Sequence, residues 1–317
     1  MNNSDVLIEA LEDWWKRFSQ NWKLAKYDCG ESEIHDLRVA ARRFTSVLAL
    51  LDSTFQDIGA DDARRKFKKV LKQLGALRDA QVQLLRSRDI PDNEVPRAFL
   101  ELLENKVVSE SSQVSSFLAG GSAKLRRRLS KLEALLRDRL DETAPSKLNA
   151  TLAREIKARH NVFASVRSLF VRGGEDHLHA MRIALKNLRY GLEGAAPLVN
   201  FASKKELTGI RDLQRELGNL RDLRIFITSL AEWAENQGAT AKHETKALCD
   251  RLGHQYIFAV TSLQSSQELN GNLLPARLRK PASRAQRAVA KELTVAAIVP
   301  DEPAAAPKRF EPADGNR

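Results

Sequence analysis

Two phrases occur twice in this chain, and any fold it adopts has to accommodate both copies. The first is His35-Asp-Leu-Arg38-Val-Ala-Ala-Arg42-Arg43, which returns as His179-Ala-Met-Arg182-Ile-Ala-Leu-Lys186-Asn. The second follows thirty-odd residues later in each case: Lys72-Gln-Leu-Gly75-Ala-Leu-Arg78-Asp79, and then Arg215-Glu-Leu-Gly218-Asn-Leu-Arg221-Asp222. Offsets of 144 and 143 residues align the two pairs almost without a gap. A period this long is not that of a solenoid, so the chain reads as a duplicated half-domain.

The first phrase has a helical pattern. On a helix, Leu37, Ala40, Ala41, Phe44, Val47, Leu48 and Leu51 share one apolar face, while His35, Arg38 and Arg42 fall within about 60° of one another on the other. The second copy divides the same way, with Met181, Ala184, Leu185, Leu188, Leu192 and Ala195 against His179, Arg182, Lys186 and Arg189. A solvated helix back normally interleaves Glu with Lys at i,i+4, yet no acid occurs between Leu37 and Leu51 or between Ala180 and Leu192. Like charges one turn apart repel, and two matching stripes favour a polyanion site over a solvated face.

Charge supports that reading. Lys and Arg number 52 against 41 Asp and Glu, a formal +11, which suits nucleic acid, an anionic surface or a phosphate polymer. Aromatics are only 6%, few for a protein that stacks on bases. Cys29 and Cys249 form no ligand-like cluster and fit a reducing compartment. Neither a signal-peptide pattern nor an apolar run of membrane-spanning length is found, so the expectation is a cytoplasmic protein with no membrane partner.

Taken in order, Ser4 to about Tyr27 reads as a helix whose Trp14, Trp15 and Trp22 are core anchors. Ser32 is the expected N-cap of the His35 helix. A third helix runs from about Asp61 to Arg88, with Arg64, Lys68, Lys69 and Lys72 beside its apolar stripe. Arg78 falls on the apolar side, and a buried arginine needs a partner, so Arg78 and Arg221 are expected in structural ion pairs, with Asp79 and Asp222 as partners. A fourth helix covers Pro96 to Leu118, Gly120-Gly121 breaks it, and Ser122 to Leu140 forms a charged linker helix that Pro145 ends. Helices over Lys147 to Arg172, the His179 segment, Ser203 to Asn236 and Thr240 to Gln267 repeat the plan. The expected architecture is all-α: four helices in 1–120, a linker helix in 121–145, four helices in 146–270, and a disordered tail rich in proline, alanine and basic residues in 271–317.

The histidine helix and the Leu-Gly-x-x-Arg-Asp phrase, each present twice, resemble the CHAD domain family (conserved histidine α-helical domain) over roughly Val6 to Gln267. That resemblance implies two four-helix subdomains related by a pseudo-twofold axis, with a basic central pore or groove that binds inorganic polyphosphate, and association with polyphosphate granules and their proteins. It carries the basic family positions to His35, Arg38, Arg42 and Arg43, to His179, Arg182, Lys186 and Arg189, and to Lys68, Lys69 and Lys72 with Arg211 and Arg215 opposite. Asn187 and Asp212 stand where the first half has Arg43 and Lys69, and Thr45 stands opposite Arg189, so the halves need not bind equally. No Glu-x-Glu-x-Lys triphosphatase signature accompanies the repeat, and the expectation is a stand-alone, non-catalytic binder without metal or cofactor.

Two rivals remain at this point. His35-Asp36 resembles the doublet of metal-dependent HD phosphohydrolases, and His177 and His179 with Glu175 and Asp176 could ligate a metal. However, Ala180 occupies the matching doublet position and no second ligand set appears at sensible spacing. Non-specific nucleic-acid binding fits the charge but not the scarcity of aromatics or the lack of a recognition-helix motif.

Overall fold

The computed structural model describes residues 3–55, 57–91, 94–173 and 177–266. Ten helices and no strand occur among them: α1 (Asn3–Tyr27), α2 (Glu31–Thr54), α3 (Ala60–Gln73), α4 (Gly75–Arg88), α5 (Arg97–Ala119), α6 (Ala123–Asp141), α7 (Pro145–Val171), α8 (His177–Ala195), α9 (Lys204–Gln237) and α10 (Ala239–Ser265). The expected tail at 271–317, and Glu175 and Asp176, lie outside the described residues.

The apolar stripes read from sequence become the core. Leu37, Ala41, Phe44, Val47, Leu48 and Leu51 of α2 are buried, as are Met181, Ala184, Leu185, Leu188, Leu192 and Ala195 of α8. In the first half the core is aromatic. Phe44 stacks on Phe67 at 4.6 Å, and Phe18 meets both edge-on at 5.9 and 5.1 Å, so three rings tie α1, α2 and α3 together. Trp22 is buried and its indole N–H donates to the Leu118 carbonyl at 3.2 Å, while Trp14 and Trp15 pack partly buried against the same cluster.

Three local expectations are corrected. Ser32 does not cap α2: Gly30 is the N-cap residue, without a side-chain cap, and the Ser32 hydroxyl donates to the Glu33 carboxylate at 2.9 Å. Pro145 does not end the linker helix but opens α7, where its missing N–H costs nothing. The continuous third helix is two helices, broken at Leu74 (φ −85°, ψ −1°). Its counterpart α9 runs unbroken for 34 residues through Gly218, from a capping box of Ser203 and Glu206.

The halves meet along α2, α7 and α8, and again where α4 packs on α9. One glycine of α8 permits the first approach: a Cβ on Gly194 would lie 2.9 Å from Val47 Cγ2 of α2. A second seats α8 on its own half, where a Cβ on Gly191 would lie 3.0 Å from Arg159 Cδ and Ile156 Cδ1 of α7. Backbone-close packing at Gly194 brings the two basic helices side by side.

Candidate anion site between the halves

Arg38 and Arg182, read as members of open basic stripes, are buried to 6% exposure each. Arg38 Nη1 donates to the Leu71 carbonyl at 2.9 Å, an acceptor in the last turn of α3 that the helix break leaves for a side chain. The arginine thus braces the α3–α4 bend. Around it the other first-half cations remain accessible: Arg42 and Lys68 are half-buried, Lys69 and Lys72 exposed. Arg64 pairs with Asp61 at 2.6 Å. The His35 ring is exposed, and its imidazole is held below the usual histidine range. The protein packed around it is the main cause, followed by the Arg78 guanidinium, with Asp36 and Glu31 pulling the other way.

Arg78 is ion-paired, as its place on the apolar side required, but its partner is not Asp79. The guanidinium donates to the Glu31 carboxylate and, at 3.4 Å, to the Glu31 carbonyl, so it ties α4 to the first turn of α2. Arg221 does pair with its neighbour Asp222, at 3.7 Å. Burial lifts the Asp222 carboxyl above the usual carboxylate range, against the pull of Arg221, Arg182, Arg78 and Lys186. Arg78 belongs to α4 and the other cations to α8 and α9, so charges from both halves are felt at one point.

The second half differs at Glu193. Its carboxylate is 10% exposed and holds Arg43 of α2 at 3.3 Å, Arg189 of α8 at 3.6 Å and Arg211 of α9 at 3.0 Å. Arg189 also lies over the Tyr190 ring, 4.5 Å from its centroid. Arg215 pairs with Asp212 at 3.0 Å. The expectation of an acid-free stripe is therefore corrected here: Glu193 sits one residue past the acid-free window and folds back onto it. His179 and Lys186, the remaining second-half positions, are half-buried.

Arg159 of α7 was not singled out from sequence. Its Nη1 donates to the Asn187 carbonyl at 3.4 Å, and burial lowers its affinity for a proton, opposed by Glu155 and reinforced by Arg64. It stands 144 residues after Trp15, a core position in the first half, so no repeat pattern marked it. Glu193 and Glu31 had a findable signal, since each borders a basic stripe within one helical turn.

Among the described residues no group of three or more His, Cys, Asp or Glu side chains could hold a metal ion. A cavity of about 600 Å³ opens beside the N-terminus of α2, lined by Tyr27, Cys29, Gln81, Leu84, Arg88 and Ser111 among others, and none of the sequence-predicted site residues lines it. No helix among the described residues is long and apolar enough to cross a membrane.

The fold has a solved counterpart. A crystal structure of the CHAD domain from the plant Ricinus communis superposes with a TM-score of 0.65 at 21% identity, covering 87% of this chain and 94% of that one. No curated protein matches the sequence. The CHAD domain family matches it over residues 8–231 and again over 171–307, two overlapping segments that take in both copies of the repeat, and the chain belongs to that family.

Proposed function

We propose that this chain binds inorganic polyphosphate along a basic groove between its two halves, and that it does so without catalysing a reaction on it. The observation that supports this best is the convergence at Glu193, where Arg43 of the first half meets Arg189 and Arg211 of the second at 3.3, 3.6 and 3.0 Å. Bringing three cations together around one largely buried carboxylate leaves an excess of positive charge that a polyanion would relieve. Polyphosphate has no bases to read. A good site for it is a row of fixed cations, with arginine forking two oxygens and lysine acting as a point charge. Mounting these on helices limits the side-chain ordering left for binding. The ligand in turn stabilises a fold that concentrates like charge.

In this reading Arg42, Lys68, Lys69 and Lys72 form the first-half bank and Lys186, Arg211 and Arg215 the second. Arg38 and Arg182 hold the geometry from beneath, and granule association follows from occupancy by long polymer. The test is a gel shift with long-chain polyphosphate on wild type, Arg42→Glu/Lys72→Glu and Lys186→Glu/Arg215→Glu. These doubles avoid the two buried arginines, whose reversal would unfold the protein rather than probe binding. Both doubles should bind more weakly, and polyphosphate should displace DNA at lower phosphate concentration than the reverse. Unchanged binding in both, or easy displacement by DNA, would overturn the reading, as would phosphate release on adding divalent metal.

A further inference from the structure

We infer that Glu193 is an internal competitor for the polyphosphate site, a carboxylate that occupies the guanidinium cluster of Arg43, Arg189 and Arg211 until a phosphate of the polymer displaces it. The inference rests on the polyphosphate reading and adds to it the residue that decides which anions enter.

Three features carry it. The three guanidiniums come from α2, α8 and α9, so the cluster spans the junction of the halves, and one carboxylate serves all three at 3.3, 3.6 and 3.0 Å. One negative charge against three positive ones leaves the cluster at +2, still attractive to an anion of higher charge density. The contacts are also unequal in what they cost to break. Arg211 is half exposed, with 50% of its side chain accessible, whereas Arg189 lies one turn away on the same helix and is largely buried. The carboxylate can therefore release Arg211 and Arg43 while staying near Arg189.

The chemistry is an exchange of hydrogen-bond acceptors. Phosphate oxygens replace Glu193 Oε1 on Arg211 and Oε2 on Arg43, and no covalent bond changes. A single weakly charged anion gains little by replacing a carboxylate already in place. A polymer that is anchored on neighbouring cations presents its next phosphate at high effective concentration, and so it can displace the carboxylate. Glu193 then acts as a filter that admits polymer over isolated anions.

The discriminating experiment measures Kd for long-chain polyphosphate as a function of salt for wild type, Glu193→Gln, Arg211→Gln and the double variant. Glu193→Gln should bind on the order of tenfold tighter, the equivalent of about 1.4 kcal/mol. Its log–log salt slope should steepen by about 0.7 for each added phosphate contact. Arg211→Gln should cost little in wild type, where Glu193 already neutralises it, and several-fold more in the Glu193→Gln background, a coupling that a purely structural glutamate would not produce. Equal or weaker binding by Glu193→Gln, or an Arg211→Gln loss that is the same in both backgrounds, overturns the inference. Where Glu193→Gln fails to fold, Glu193→Asp, which withdraws the carboxylate by one methylene, carries the same test and should bind tighter than wild type. Failure of wild type to bind polyphosphate would sink the parent reading instead, and the two failures are distinct.

Discussion

The two halves were built from one pattern and have diverged in opposite senses in core and surface. The first half has the Phe44–Phe67 stack with Phe18 against it, where offsets of 144 and 143 residues place Leu188, Ile210 and Val162 in the second. On the surface, the acids of the first-half bank stand in the first turn of α3, where Asp61 pairs with Arg64 and Arg65, whereas the second-half bank is interleaved with Glu193 and Asp212, which pair with Arg211 and Arg215 themselves. A core with more cohesion can tolerate more like-charge repulsion, because the repulsion costs only a few tenths of a kcal/mol per pair while aromatic pairs add about 0.5–1.5 kcal/mol each beyond burial.

The sharpest way to break this comparison is through the cores. Phe44→Ala should cost roughly 4 kcal/mol in urea unfolding and Leu188→Ala roughly 3, the difference being the ring contacts to Phe18, Phe67 and Trp15. Equal costs would mean the aromatic cluster adds nothing beyond its area.

Next in size is binding. Reversing Lys68, Lys69 and Lys72 together to Glu should weaken polyphosphate binding roughly 100-fold, since each lysine–phosphate hydrogen bond it removes contributes about 1 kcal/mol. Arg211→Glu/Arg215→Glu should weaken it about tenfold or less, because both arginines already have carboxylate partners at 3.0 Å. A larger effect in the second half would invert the assignment of the stronger bank.

Smaller effects are expected at the paired glycines. A Cβ on Gly218 meets nothing within 4 Å, and one on Gly75 meets only Arg38 Nη1 at 3.9 Å, so no internal packing demands either glycine. Gly218→Ala, inside the unbroken α9, should raise stability by about 0.5–1 kcal/mol in thermal or urea unfolding. If the polymer runs over the Leu-Gly phrase, the same change lowers polyphosphate affinity, so opposite signs in the two assays are the expected signature.

The smallest effect concerns pH. His35 is held below the usual histidine range in the free protein, so the folded state binds its proton less readily than the unfolded chain does. Its contribution thus costs stability as pH falls below about 6.5 and vanishes above it. A neighbouring polyphosphate favours the charged imidazole, so affinity should rise on acidification by less than about tenfold. His35→Gln should flatten that part of the profile, and an unchanged profile would make His35 a bystander.

Much of the fold was legible because helical periodicity and duplication are local and repeated signals. The faces of α2 and α8 could be read from Leu37 and Met181 onward without any neighbour. The break at Leu74 was not legible: Gly75 and Gly218 are alike in sequence, and only the first copy bends, with Arg38 filling the carbonyl that the bend leaves. The partner of Arg78 was misassigned for a related reason. Adjacent Asp79 looked nearest along the chain, but the side chain points across to α2, where Glu31 is nearer in space.

By itself, the sequence determined that the chain is helical, duplicated and basic, and which residues form each apolar stripe, because those follow from spacing and composition along a single helix. Tertiary structure decided which cations remain open. Arg38 and Arg182 went under the surface, and Arg43, Arg189 and Arg211 came together on Glu193, since helices brought close by Gly191 and Gly194 set distances that no one-dimensional pattern encodes.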